Sequence, residues 1–242
     1  MNQSVRIFRT PYELAEKLAE EMVEMIKTAS AKNVPITVAL SGGSTPELLF
    51  SILGDHFSGS APWKFVHFFW GDERCVPPVS PDSNFRMAFR SFFKKIDIPE
   101  GNIHRIYGEQ DSSSEAIRYS DQILRFTSMK NGRPVFDLIL LGMGDDGHTA
   151  SIFPDNLSLF DSDKICDVSI HPVSKQKRIT ITGSVINNAE KIRFMVTGSN
   201  KAGILKKILN KEKSAKNLPA SLVVPVSGNI VWLLDFEAGS LL

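Results

Sequence analysis

The chain has 242 residues, of which 42% are hydrophobic and 23% charged, and its formal net charge is +1. This size suits one α/β domain with a substantial core, and the near-neutral charge gives no basis for binding nucleic acid or an anionic membrane surface. We predict a cytoplasmic protein for three reasons: the two cysteines form no CxxC pattern, residues 1–8 lack a signal-peptide core, and no apolar run is long enough to span a membrane.

The first half of the chain alternates between helix and strand patterns. Thr10 and Glu13 can form a capping box around Pro11, and an apolar stripe continues from there at helical spacing as far as Ile26. Short apolar runs further on predict strands, and the amphipathic stretches predict helices. The predicted strands are 36–40 and 65–70, and the predicted helices are 84–95 and 112–129.

The second half begins with an apolar run at 138–141 that is typical of a strand buried on both faces. Further strands are predicted at 165–170, 179–182, 194–197 and 229–234, with a helix at 201–209. This alternation predicts one α/β domain, residues 1–242, with a mainly parallel, Rossmann-like sheet covered by helices on both faces. Such sheets bind ligands at the carboxyl ends of their strands, so the loops that follow the strands are the places to look for a site.

The loop after the strand at 36–40 combines glycines with hydroxyl side chains. Gly42 and Gly43 let backbone amides turn toward a bound oxygen, while Ser41, Ser44 and Thr45 offer hydroxyls. A proline at the first helical position would leave the free amides of the helix pointing into the same space. We therefore predict a phosphate cradle that lacks the lysine and spacing of a nucleotide P-loop. The alternative is a plain turn with a serine or threonine helix cap.

Asp72, Glu73 and Arg74 follow the next predicted strand. Three consecutive charged residues in a loop usually form a solvated corner. At the same sheet edge as the cradle, however, Arg74 becomes a candidate for holding an anion or a developing oxyanion, and Asp72 becomes a candidate substrate contact. The segment 81–84 could cap the next helix, or Asn84 within it could contact a polar ligand, and the capping role is sufficient to explain the segment.

His148 lies in the most informative segment of the chain, residues 142–154. A histidine beside carboxylates at a strand end is suited to proton transfer, and Asp146 could orient its imidazole and support the charged form. The segment contains a GxGxxG match, but two aspartates inside the loop would repel a pyrophosphate, so we reject dinucleotide binding. The other four histidines show no metal-ligand spacing with His148, and no metal is expected.

Two cations near later strands complete the candidate site. Arg178 begins the strand predicted at 179–182, and Lys201 stands where the following strand gives way to a helix. Both are of a type that commonly lies on the surface. Both could instead face the phosphate cradle and supply positive charge locally.

Together these segments resemble the 6-phosphogluconolactonase family, within the wider group of sugar-phosphate enzymes that includes glucosamine-6-phosphate deaminases. The matching segments, in the family's order, are 40–46, 70–74, 83–84, 142–154, 178–182 and 198–202. The resemblance implies hydrolysis of 6-phospho-D-glucono-1,5-lactone to 6-phospho-D-gluconate in the oxidative pentose phosphate pathway, without a cofactor. Our hypothesis for this reaction is proton transfer by His148 with Asp146. Arg74 would face the carbonyl or the polar side of the sugar, and Arg178 and Lys201 would hold the phosphate together with the cradle.

Two other functions fit parts of the sequence. A sugar-phosphate deaminase–isomerase would need a carboxylate to partner the histidine, and Phe153 stands where the deaminases have that glutamate. A non-catalytic sugar-phosphate sensor would keep the cradle without needing His148, but a transcription regulator of this kind would carry a basic DNA-binding unit. The oligomeric state stays open, as does the division of Arg74, Arg178 and Lys201 between phosphate and carbonyl.

Overall fold

The computed structural model describes residues 4–242, and residues 1–3, where the segment inspected for a signal peptide begins, lie outside the described residues. Strands and helices alternate along most of the described chain. The strands are β1 Ser4–Phe8, β2 Ile36–Leu40, β3 Val66–Trp70, β4 Asp72–Arg74, β5 Ser128–Lys130, β6 Arg133–Val135, β7 Leu138–Leu141, β8 Cys166–Ile170, β9 Lys177–Ile181, β10 Ile192–Val196 and β11 Ile230–Asp235. The α-helices are α1 Pro11–Ala31, α2 Ser44–His56, α3 Asn84–Ser91, α4 Ser112–Phe126, α5 Gly183–Ile186 and α6 Ala202–Leu209.

Six parallel strands form the central sheet, in the order β1-β11-β10-β7-β2-β3. Every residue of β2, β7, β10 and β11 is buried, which requires cover on both faces of the sheet. Continuous apolar strands of this kind are characteristic of parallel sheets. The predicted α/β class with a mainly parallel, covered sheet is therefore confirmed.

The order of the strands creates a crevice between β2 and β7. The next strand along the chain after β2 is β3, which lies beside β2 on one side. The next strand of the central sheet after β7 is β10, which lies beside β7 on the other side. Connections that diverge in this way leave an open space at the carboxyl ends of the two adjacent strands. The loops after β2 and β7 are the two glycine-containing loops singled out in the sequence.

A second, smaller sheet consists of β4, β9 and β8, all antiparallel. The runs predicted at 165–170 and 179–182 are thus strands, but they do not belong to the central sheet. The short connection between β8 and β9 permits only antiparallel pairing, because a parallel crossover needs about a dozen residues or more. This sheet brings β4, which follows β3 almost directly, next to β9.

Several element boundaries differ from the prediction. The helix predicted at 84–95 ends at Ser91, because Phe92 leaves helical geometry with φ −132° and a 3₁₀ turn follows. Phe92 and Phe93 are both buried. The helix predicted at 112–129 ends at Phe126 because β5 pairs with β6. β1 was not predicted, since it is an edge strand with mostly exposed side chains.

The start of α1 agrees with the sequence. Thr10 Oγ1 accepts the backbone N–H of Glu13 at 3.1 Å, and Pro11 occupies the first helical position. Its apolar stripe, from Leu14 to Ile26, is buried. The predicted Thr10 cap and covering helix are confirmed. Glu13 does not complete the capping box at Thr10, because its carboxylate accepts the backbone N–H of Arg9 at 2.8 Å instead.

Candidate active site

A pocket of about 190 Å³ lies at the carboxyl edge of the sheet, in the crevice between β2 and β7. Its lining residues are Ser41, Gly42, Gly43, Asp72, Arg74, Asn84, Gly142, Met143, Gly144, His148, Ala150 and Arg178. Most of the predicted site residues are among them. The exceptions are Ser44, Thr45, Asp146 and Lys201.

The imidazole of His148 is held by Asp146, two residues earlier. Asp146 Oδ1 lies 2.6 Å from His148 Nδ1 and also accepts the His148 backbone N–H at 3.0 Å. Partial burial of Asp146 acts to raise its pKa, but the hydrogen bonds from His148 outweigh burial and lower the pKa to about 2. Because Asp146 is an ionised acceptor at neutral pH, the neutral imidazole carries its proton on Nδ1 and leaves Nε2 free to accept one.

Gly144 makes room for this pair. A Cβ atom on Gly144 would lie 2.1 Å from His148 Nδ1 and 2.8 Å from Asp146 Oδ1. The Gly144 backbone N–H donates to the His148 carbonyl at 2.9 Å and closes the loop. The next helical turn, Leu157–Leu159, lies well beyond the GxGxxG pattern, so the pattern does not open a helix as dinucleotide sites require.

Phe153 forms an apolar wall beside His148. It is fully buried, and the centroids of the two rings are 4.8 Å apart. The guanidinium carbon of Arg178 lies 5.7 Å from the centroid of the Phe153 ring. A phenyl ring cannot exchange protons, so this side of the imidazole carries no acid or base.

Arg74 and Arg178 lie directly opposite each other across the β4–β9 ladder. Side chains of such a pair project from the same face of the sheet, where like charges destabilise the pairing. The Nε atoms of both arginines are buried and have no hydrogen-bond partner among the described residues. Burial lowers the pKa of Arg178, yet a guanidinium stays protonated in proteins. Two charged groups with unpaired N–H donors in one pocket are suited to an anionic or strongly polarised ligand.

The segment 72–74 is a buried strand, so the interpretation as a solvated corner is wrong. Asp72 and Glu73 are only 5% and 2% exposed. Asp72 Oδ2 accepts a hydrogen bond from Ser151 Oγ at 2.6 Å and lies 4.0 Å from Arg178 Nη1. Asp72 therefore partly balances the arginine pair. Ser151, which holds Asp72 in place, was not predicted as a site residue.

Asn84 reaches the pocket because its neighbours fix the start of α3. Glu73 accepts the Asn84 backbone N–H at 2.8 Å, and Ser83 caps the helix by accepting an N–H of the first turn. The Asn84 side chain donates to the Asp72 carbonyl at 2.9 Å and approaches Gly42 so closely that a Cβ there would lie 1.9 Å from its Oδ1. The cap predicted within residues 81–84 is therefore present and is supplied by Ser83, while Asn84 lines the pocket.

The glycine-serine loop leaves the N-terminus of α2 open. The helix begins at Ser44, with Gly43 as its N-cap at φ +109° and no side-chain capping bond. The alternative of a plain capped turn is therefore wrong, and the proline stands at the third helical position rather than the first. Ser41 Oγ is buried without a hydrogen-bond partner among the described residues, while Thr45 Oγ1 lies 2.8 Å from Thr197 Oγ1. The loop thus offers free amides and a free hydroxyl at one place.

Lys201 is bound by Asp145 and lies outside the pocket lining. Its Nζ contacts Asp145 Oδ1, and Asn200 Nδ2 donates to the same oxygen at 2.8 Å. Asp145 belongs to the His148 loop, so these contacts tie that loop to the connection between β10 and α6. The same connection begins at Thr197, whose Oγ1 lies 2.8 Å from Thr45 Oγ1 of the cradle.

The described residues, 4–242, contain no group of three or more His, Cys, Asp or Glu side chains placed to hold a metal ion. No helix in this range is both long enough and apolar enough to cross a membrane. The functional groups of the pocket are the His148 imidazole, which Asp146 supports from outside the lining, two guanidiniums, the Asp72 carboxylate, the Asn84 amide, a buried hydroxyl and backbone amides.

The chain is similar over nearly its whole length to curated proteins. Residues 9–232 match the family described as glucosamine-6-phosphate isomerases/6-phosphogluconolactonase. The 6-phosphogluconolactonase of Haemophilus influenzae is 40% identical over 236 residues, which cover 97% of this chain and 98% of that protein. The enzyme of the same name from Treponema pallidum is 38% identical over 92% of each chain.

Solved structures show the same fold. The 6-phosphogluconolactonase from Trypanosoma brucei is 30% identical and superposes with a TM-score of 0.86 over 99% of this chain and 98% of that one. A monomeric glucosamine-6-phosphate deaminase superposes with a TM-score of 0.83 over 99% and 100% of the two chains, at 22% identity. At that level of identity the likeness concerns the fold alone.

Proposed function

The chain belongs to the glucosamine-6-phosphate isomerase/6-phosphogluconolactonase family, and we propose that it hydrolyses 6-phospho-D-glucono-1,5-lactone to 6-phospho-D-gluconate. The reaction belongs to the oxidative pentose phosphate pathway. The observation that carries the proposal is the placement of an Asp146-supported His148 in the same 190 Å³ pocket as Arg74 and Arg178. A lactone is a reactive ester, so its hydrolysis needs a base, an oxyanion partner and a hold on the phosphate.

His148 is the proposed proton carrier. Its free Nε2 takes a proton from water while the water oxygen attacks C1 of the lactone. When the bond between C1 and the ring oxygen breaks, the imidazolium returns the proton to that oxygen, which becomes the C5 hydroxyl of the product. The ionised Asp146 keeps the imidazole in the required tautomer and stabilises its charged form, as a triad carboxylate does.

The positive groups divide between the two ends of the substrate. Arg74 is the proposed partner of the carbonyl oxygen as it becomes an oxyanion, because its buried Nε has a free N–H donor and, unlike Arg178, it is in no ion pair within the described residues. Arg178 and Lys201 are the proposed phosphate ligands together with the cradle, whose members are Ser41, Gly42, Gly43, Ser44 and Thr45. Asp72 lines the pocket beside Arg178 and is the proposed contact for a sugar hydroxyl.

Phe153 argues against the deaminase–isomerase alternative. The resemblance places a glutamate at this position in the deaminases, where it partners the histidine. Here a buried phenyl ring packs 4.8 Å from the His148 ring instead. The chain therefore lacks the carboxylate on that side of the imidazole, and release of ammonia from glucosamine-6-phosphate is not expected.

A cytoplasmic setting is part of the proposal. Both cysteines are free thiols, and burial raises the pKa of Cys166 to about 12. A reduced compartment suits such thiols. The proposed partner is the phosphosugar lactone alone.

The proposed function is tested with lactone made in place from glucose-6-phosphate by glucose-6-phosphate dehydrogenase. Purified protein should accelerate loss of the lactone above the spontaneous rate. His148→Ala should lower kcat by about 10²- to 10⁴-fold, the usual contribution of general acid–base catalysis. His56→Ala, at the exposed end of α2, is the matched control and should keep wild-type activity. Near-full turnover by a folded His148→Ala variant would exclude the mechanism.

A further inference from the structure

A groove of about 670 Å³ adjoins the active-site pocket and runs between α2 and α3. The two share Gly43, Arg74 and Asn84 as lining residues, so the groove opens directly onto the pocket. Its charged lining residues are five cations and one carboxylate: Arg74, Arg86, Arg90, Lys94, Lys95 and Glu47. The whole chain has a net charge of only +1, so this positive charge is a local feature.

Besides Arg74, which also lines the pocket, three of these cations have no ion-pair partner among the described residues. Lys95 pairs with Asp55 at 2.6 Å, whereas Arg86, Arg90 and Lys94 form no salt bridge within residues 4–242. All three side chains are at least partly exposed. The groove therefore keeps a row of uncompensated positive charge in contact with solvent.

The spacing of two of these cations works against helix stability. Arg86 and Arg90 are four residues apart in α3, whereas Lys94 lies in the 3₁₀ turn that follows the helix. Like charges at this spacing face each other along a helix and are destabilising. The buried contacts of this segment are made by Ala88 and Phe92. Packing therefore does not require cations at positions 86, 90 and 94.

We propose that Arg86, Arg90 and Lys94 form an electrostatic guide that draws the dianionic phosphosugar lactone along this groove into the pocket. The inference rests on the proposed function, because it takes the phosphorylated lactone as the ligand. Surface charge of one sign along a cleft raises the local concentration of an oppositely charged substrate and its association rate by about 10- to 10³-fold. Capture matters for this reaction because the lactone is reactive enough for its chemical step to be undemanding.

The test is the triple variant Arg86→Gln, Arg90→Gln, Lys94→Gln, assayed with the phosphorylated lactone over a series of ionic strengths. At about 0.01 M, where the Debye length is about 30 Å, kcat/KM should fall about 5- to 10-fold with kcat unchanged. At about 0.5 M salt the variant and wild type should converge, because screening removes the attraction. The thermal midpoint should change little, since none of the three side chains is in a salt bridge within the described residues and the repulsion between Arg86 and Arg90 offsets the favourable position of Arg90 in the last turn of α3.

A matched control removes the same amount of charge from the opposite edge of the sheet. Lys27 and Lys32 lie at the end of α1, Lys191 directly precedes β10, and none of the three is in a salt bridge within the described residues. Their triple glutamine variant should keep the wild-type dependence of kcat/KM on salt.

The outcomes distinguish failure of the electrostatic guide from failure of the proposed function. If the groove variant and the control have equal kcat/KM at the lowest ionic strength, or if the groove variant loses kcat at every salt concentration, the guide is refuted. Absence of lactone hydrolysis by the wild type would instead refute the proposed function, before any variant is compared.

Discussion

Replacement of Gly144 by alanine would displace the His148 imidazole without removing it, and so tests how much the reaction depends on the position of this ring. The new Cβ would lie 2.1 Å from His148 Nδ1, whereas ordinary contacts begin near 3.4 Å. The backbone of Gly144 is not in the left-handed region, so alanine is tolerated there except for this overlap. The imidazole must therefore move by about 1 Å or more, away from Asp146 and from its position in the pocket.

A displacement of this size has a calculable consequence. A misplacement of about 1 Å can lower the rate by about 10²-fold, which corresponds to about 2.7 kcal/mol of transition-state stabilisation. We expect Gly144→Ala to lower kcat by this factor. The loss of the His148–Asp146 hydrogen bond should lower the free energy of unfolding by only about 1 kcal/mol, because the pair is partly exposed.

The assay is steady-state hydrolysis of the phosphorylated lactone by four proteins: wild type, Gly144→Ala, His148→Ala and the double variant. If alanine acts through the imidazole, it should have little further effect once His148 has been removed, so the two losses should not add. Gly203→Ala in α6, where a Cβ meets nothing within 4 Å, is the control and should keep full activity. A Gly144→Ala variant with more than half the wild-type kcat, or strictly additive losses, would refute the reasoning.

Three further predictions concern charge. Asp146→Asn should lower kcat by about 10⁴-fold, because a neutral amide no longer requires the imidazole proton to lie on Nδ1; near-wild-type kcat in steady-state assays would contradict the pairing. Arg74→Gln should lower kcat by about 10²-fold, as loss of an oxyanion donor does, whereas Lys201→Gln should chiefly raise KM for the phosphorylated lactone. Steady-state kinetics distinguish an effect on kcat from an effect on KM. If Arg74→Gln chiefly raised KM and Lys201→Gln chiefly lowered kcat, the roles proposed for Arg74 and Lys201 would be wrong. Burial, aided by nearby positive charge, lowers the pKa of His104 from 6.5 to about 4, so the folded state favours its neutral form. The stability that the neutral His104 contributes is present above pH 6.5 and is lost as the pH falls toward 4. In urea unfolding, the free energy of unfolding should fall by up to about 3 kcal/mol over that range. An equal fall in the His104→Gln variant would rule out His104 as its cause.

The sequence determined the fold class and the loops of the site because both depend on local patterns. A buried parallel strand is a short apolar run, and the glycines and polar residues that follow it are adjacent in the chain. Asp146 and His148 are two residues apart, so their contact could be anticipated from the sequence and is present at 2.6 Å. The cap of α1 at Thr10 is equally local.

Only the tertiary structure decided which distant residues meet. The β4–β9 pairing sets Arg74 opposite Arg178, although more than a hundred residues separate them, and no local pattern encodes that register. The same pairing buries Asp72 and Glu73, which read as a solvated corner in the sequence. Asn84 points into the pocket because Ser83 takes the capping role, and Lys201 is turned toward Asp145. Side-chain direction and strand register depend on contacts between remote segments, and these form only when the whole sheet assembles.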